Sequence, residues 1–67
     1  MKNKVRLLRE ENNLTQKELG EIVYVSRQAI NAIETGKYDP SIWLAYRLAQ
    51  YFRLPIEKIF QFKEDNQ

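Results

Sequence analysis

Apolar residues recur along the chain at helical spacing, interrupted by short polar breaks. Val5 and Leu8, with Leu7 beside them, form a stripe flanked by charge. They predict a first helix from Lys2 or Asn3 to Asn12, ended by Asn12-Asn13. Leu14-Thr15-Gln16-Lys17-Glu18-Leu19 is a strong helix start. Thr15 is the N-cap, Glu18 three residues on completes a capping box, and Leu14 and Leu19 have the spacing of a hydrophobic staple. Leu19, Ile22 and Val23 then share one face. A third helix starts at Ser26, with Val25 and Ile30 repeating the staple, and turns Ala29, Ile30 and Ile33 inward as far as Glu34. Gly36 supplies the left-handed residue that ends it. Asp39-Pro40-Ser41 is a turn and a further N-cap, leading into Leu44, Leu48 and Phe52 at spacings of four, with Ala45 and Ala49 alongside. This fourth helix ends near Arg53, because Pro55 drives Leu54 out of helical geometry. Pro55 opens a fifth helix carrying Ile56, Ile59 and Phe60. Gln61-Phe62-Lys63 alternates polar and apolar, which suits a short pairing with the N-terminal residues. The expected fold is an all-α, compact five-helix bundle with a short terminal β-pairing. Its single domain covers residues 1–62, followed by a polar tail over 63–67.

Composition narrows what such a bundle does. A chain of 67 residues buries only about 60% of its unfolded surface. It has no cysteine and no histidine, so neither disulfides nor a Cys/His metal site is expected, and the usual general base and best nucleophile are missing. An enzyme is therefore not expected, nor a cofactor. No run reaches the roughly 18 apolar residues of a membrane span, and the basic N-terminus has no apolar signal region behind it. The expected location is the cytoplasm, at the nucleoid. The net charge of +2 is mild, but it sits entirely in residues 1–37, with seven Lys/Arg against five acids. Residues 38–67 carry four of each.

Helices starting at Thr15 and Ser26 lie too close in sequence for antiparallel stacking. They suit a steep crossing, as in a helix-turn-helix. Such a crossing needs a small residue at the closest approach, and Gly20 occupies that place at a helical cost of about 1 kcal/mol relative to alanine. Across Leu14–Gly20 and Val25–Lys37 the chain is apolar at Leu19, Val23, Val25, Ile30 and Ile33, small at Gly20, and carries Gln16 and Glu34-Thr35-Gly36-Lys37. Pro40-Ser41 and a following Leu-x-x-x-Leu-Ala continue the pattern. Residues 5–60 thereby resemble the Cro/repressor-type helix-turn-helix family of phages and bacteria (XRE-like regulators). One position departs from it: Tyr24 stands where the turn usually has glycine, so that either Tyr24 takes the left-handed conformation or the turn is built differently.

The resemblance implies a bundle of the phage-repressor DNA-binding type, with the third helix in the major groove of double-stranded DNA and the second crossing the backbone. The outward residues Arg27, Gln28 and Asn31 suit base edges: Gln pairs with adenine and Arg with guanine. The start of the second helix, with Gln16, resembles the family's backbone clamp, and helix N-termini attract anions. Lys17, Lys37 and Tyr38 are expected to join it on phosphates. The resemblance also implies a structural ion pair between Arg9 and Glu34. Thr15, Ser26 and Ser41 are caps first.

Six of the eight aromatics lie between Trp43 and Phe62, more than one inward stripe can bury. An exposed aromatic patch marks an interface. Trp43, Tyr46, Ile56, Ile59, Phe60 and Phe62 are expected to form a homodimer interface, which would place two modules on half-sites about 34 Å apart. The function so read is sequence-specific transcriptional regulation, as a repressor on a palindromic operator, with no small-molecule effector evident. The alternative is an antitoxin-like or adaptor module whose helices contact another protein.

Overall fold

The computed structural model describes residues 1–62, so the polar tail expected over 63–67, and Lys63 in the expected terminal pairing, lie outside the described residues. Five helices follow in order: α1 (Val5–Glu11), α2 (Gln16–Val23), α3 (Arg27–Glu34), α4 (Ile42–Phe52) and α5 (Ile56–Ile59). Among the described residues the only β-pairing is an isolated antiparallel bridge between Asn3 and Phe60. The class is all-α.

Three helices begin on a side-chain cap. Thr15 accepts from the Glu18 amide at 3.0 Å, while the Glu18 carboxylate accepts from the Thr15 amide at 2.8 Å, closing the box. Ser26 accepts from the Ala29 amide and Ser41 from the Leu44 amide, each at 3.1 Å. Each cap satisfies one of the four amides that a helix start leaves without an intrahelical partner. At the end of α3, Gly36 takes φ 77°. The Lys37 amide then reaches the Ala32 carbonyl and the Gly36 amide that of Ile33, which is the Schellman arrangement.

α1 starts later than the hydrophobic pattern predicts. Lys2 and Lys4 have backbone groups taken up by the segment around Phe60, and Lys4, at φ −109° and ψ 19°, stays outside the helix. The Lys4 amide donates to the Ile59 carbonyl at 2.8 Å, and the Gln61 amide to the Lys2 carbonyl at 2.9 Å. Asn3 ties this segment down: its Oδ1 accepts from the Val5 amide, and its Nδ2 donates to the Ile33 carbonyl at 2.9 Å. The terminal pairing thus runs through Phe60, while Phe62 stays exposed.

The core consists of Val5, Leu19, Val23, Ile30, Ile33, Leu44, Ala45, Leu48, Ile59 and Phe60. Each helix contributes to it, and Leu8, Leu14, Val25, Ala49, Phe52, Leu54 and Ile56 pack around its rim. Several residues read as inward differ: Leu7 in α1 is exposed, and Ala29 in α3 is half-buried outside the core and its rim. Ile22 lies at the exposed edge of α2, beside the buried stripe of Leu19 and Val23. Phe52 is half-buried in the last turn of α4, with its ring edge-on to Tyr51 at 5.2 Å.

Candidate nucleic-acid interface

The corner between α2 and α3 fixes how α3 is presented. A Cβ built on Gly20 would lie 2.6 Å from the Val25 carbonyl oxygen, well inside contact distance, so only glycine allows the chain to pass there undisturbed. Tyr24 takes the left-handed conformation, φ 66° and ψ 39°, despite the roughly 1–2 kcal/mol this costs a residue with a side chain. Both its amide and that of Val25 donate to the Gly20 carbonyl, ending α2 within one residue. The Tyr24 ring stays largely exposed, and the Arg47 guanidinium from α4 lies over it at 5.3 Å, a distance for cation–π attraction. Arg47 was not legible as a partner of the turn, because 23 positions separate it from Tyr24.

Below that corner, α3 is anchored on one side and open on the other. Ile30 and Ile33 are fully buried, whereas Arg27, Gln28 and Asn31 are exposed. The first turn of α3 contains no acid. Glu34 points inward, its side chain only 3% exposed, and meets Arg9 from α1. Arg9 Nε donates to Glu34 Oε2 at 2.6 Å and Nη2 to Oε1 at 3.3 Å, while Nη1 holds the Leu14 carbonyl at 2.7 Å. The Glu34 hydrogen bond raises the Arg9 pKa above its ordinary value, against the opposing effect of burial. The pair therefore joins α1, the residue before the α2 cap and the end of α3, and removes from the outer flank the one acid that would repel phosphate.

Gln16, expected on a phosphate, is half-buried and turned toward α3. Its Nε2 donates to Glu34 Oε1 at 3.0 Å and to Asn31 Oδ1 at 3.1 Å. The start of α2 and the middle of the exposed α3 flank are thereby held side by side. Lys17 in the first turn of α2 is exposed, as are Lys37 and Tyr38 just beyond α3. Ordinary solvated positions would look the same, and the adjacency to α3 is what singles these out.

The expected dimer patch divides. Trp43, Tyr46 and Phe62 are 68%, 51% and 58% exposed, and Ile42, not singled out from the sequence, is 75% exposed. Ile56 is half-buried. Ile59 and Phe60, by contrast, are 1% and 2% exposed. Both lie in the core cluster, and Phe60 is bridged through its backbone to Asn3, so their surface is consumed within one chain and they belong to the core, not to an interface.

Comparison with known proteins agrees with this geometry. The helix-turn-helix family model matches residues 5–59. An uncharacterized HTH-type transcriptional regulator of Methanocaldococcus jannaschii is 51% identical over 65 residues, which cover 97% of this chain and 98% of the relative. The HTH-type regulator YgzD of Bacillus subtilis is 44% identical over 98% of this chain and its own full length. The transcriptional activator BcrR of Enterococcus faecalis is 36% identical over 91% of this chain, matched to 30% of its own length. With its two capped helices crossing at Gly20 and its matching relatives, the chain belongs to the helix-turn-helix family of transcriptional regulators.

Proposed function

We propose that this protein is a sequence-specific regulator of transcription that binds double-stranded DNA as a homodimer. The observation that carries it is the exposed polar flank of α3: Arg27, Gln28 and Asn31 project from a helix whose opposite side is locked by Ile30, Ile33 and Glu34. A rigid helix with donors on its free side suits the major groove. Arg27, Gln28 and Asn31 read base edges. The amides at the α2 start, with Lys17, Lys37 and Tyr38, hold the flanking phosphates, and Gln16 braces the two helices. Trp43, Tyr46 and Phe62, with Ile56 at their edge, join two copies so that two recognition helices meet a palindromic operator. A dimer lying across a promoter excludes polymerase, so the regulation proposed is repression, exerted at the nucleoid.

Selection of bound sequences from random duplex DNA tests this directly. A palindromic consensus is expected, with half-site centres one helical turn apart. Sedimentation should give a dimer at micromolar concentration, and a monomer after Trp43→Ala together with Phe62→Ala. Gln28→Ala should cost roughly 1–3 kcal/mol of affinity and relax one base position. Absence of any enriched sequence would overturn the proposal.

A further inference from the structure

The cluster behind α3 contains a chain of hydrogen bonds with a direction. Glu34, whose two oxygens both accept from Arg9, has only acceptors to offer. The atom that Gln16 presents to Glu34 Oε1 at 3.0 Å must therefore be its NH2. That same nitrogen lies 3.1 Å from the Asn31 side chain, so the Asn31 atom facing it must be an acceptor, Oδ1. Asn31 is exposed, and with Oδ1 drawn toward α2 its Nδ2 is the group left for the groove. A buried ion pair thus sets, through one glutamine, which end of an exposed amide faces outward.

We infer that Asn31 is a specificity-determining residue that offers hydrogen-bond donors and selects guanine, and that Gln16 is the positioning residue that orients it. This rests on the DNA-binding role proposed above. In the major groove guanine presents two acceptors, N7 and O6, matching the two N–H bonds of Nδ2. Adenine presents N7 beside the donor N6, which needs the Oδ1 that Gln16 holds. Cytosine presents only a donor, N4.

The test uses the full chain and the duplex obtained by selection, with each guanine replaced in turn by 7-deazaguanine, which lacks the N7 acceptor. At one guanine per half-site the replacement should weaken wild-type binding roughly tenfold and leave the Asn31→Ala protein unaffected. Gln16→Met keeps the length of the side chain and removes its donor. With the amide free to turn over, selection with this variant should return guanine and adenine equally at that one position and the parental bases elsewhere. A general weakening of structure would not single out one base. Should Gln16→Met unfold, which circular dichroism reads, the Asn31→Ala comparison alone decides whether the exposed amide reads guanine. Three results overturn the inference: no guanine coupled to Asn31, adenine or cytosine at the coupled position, or guanine retained by folded Gln16→Met. If no duplex is enriched at all, the DNA-binding proposal falls with it. If one is enriched and Asn31→Ala leaves its profile unchanged, only the present inference falls.

Discussion

Replacing Arg9 with methionine removes a charge while retaining much of the side chain's bulk. The Glu34 carboxylate, 3% exposed, then keeps one donor in place of three, from Gln16 at 3.0 Å, and the Leu14 carbonyl loses its side-chain donor. Breaking a buried pair from one side costs about 3–5 kcal/mol, because the remaining charge has no compensation. The low end, about 3 kcal/mol, is expected here, since the Gln16 amide stays. A domain of this length has a total stability of roughly 3–10 kcal/mol at about 0.05–0.15 kcal/mol per residue. Arg9→Met should therefore leave a protein that is marginal at room temperature. Replacing both partners, as Arg9→Met with Glu34→Leu, removes the stranded charge and should recover at least half of the loss. The assay is urea unfolding at low temperature, followed by circular dichroism, on wild type, both single variants and the double variant. A double variant as unstable as Arg9→Met, or a single variant within about 0.5 kcal/mol of wild type, the range of ordinary surface substitutions, would refute the view that Arg9–Glu34 is a buried, mutually dependent pair.

Gly20→Ala should destabilise by about 1–3 kcal/mol even though alanine is the better helix former, because the Val25 carbonyl stands 2.6 Å from the new Cβ. A raised melting temperature would contradict it. Thr15→Ala should cost about 1 kcal/mol by leaving the Glu18 amide without its acceptor, and denaturant titration measures it. Lys37→Ala should weaken binding to all duplexes alike and lower the slope of log affinity against log salt by about 1, whereas a change confined to one base position would argue against a phosphate contact.

Much of the fold was legible because its signals are local. A capping box spans four residues and a staple six, so Thr15 with Glu18, and Leu14 with Leu19, declare a helix start without knowledge of anything distant. Gly36 marks the end of α3 in the same way. Arg9 and Glu34 lie 25 positions apart, and only resemblance to a family joined them before the structure did. The errors concern residues whose surroundings are assembled by remote segments. Lys2 and Asn3 have the composition of a helix start, but Lys2 and Lys4 bond through their backbones to Gln61 and Ile59, with Asn3 bridged to Phe60 between them. Ile59 and Phe60 read as part of a dimer interface, but both are buried in the core.

The order of side chains along 67 residues thus determined the number of helices, their caps, and the small residue their crossing demands, since each depends on interactions within a turn or two of the backbone. Only the tertiary structure decided which apolar residues remain outside, that Tyr24 takes a left-handed turn beneath Arg47, and that Gln16 faces Glu34 and Asn31. The physical reason is that these depend on the angle at which α2 meets α3 and on where Lys2–Lys4 meet Ile59–Gln61. Such relations arise from packing the whole core at once.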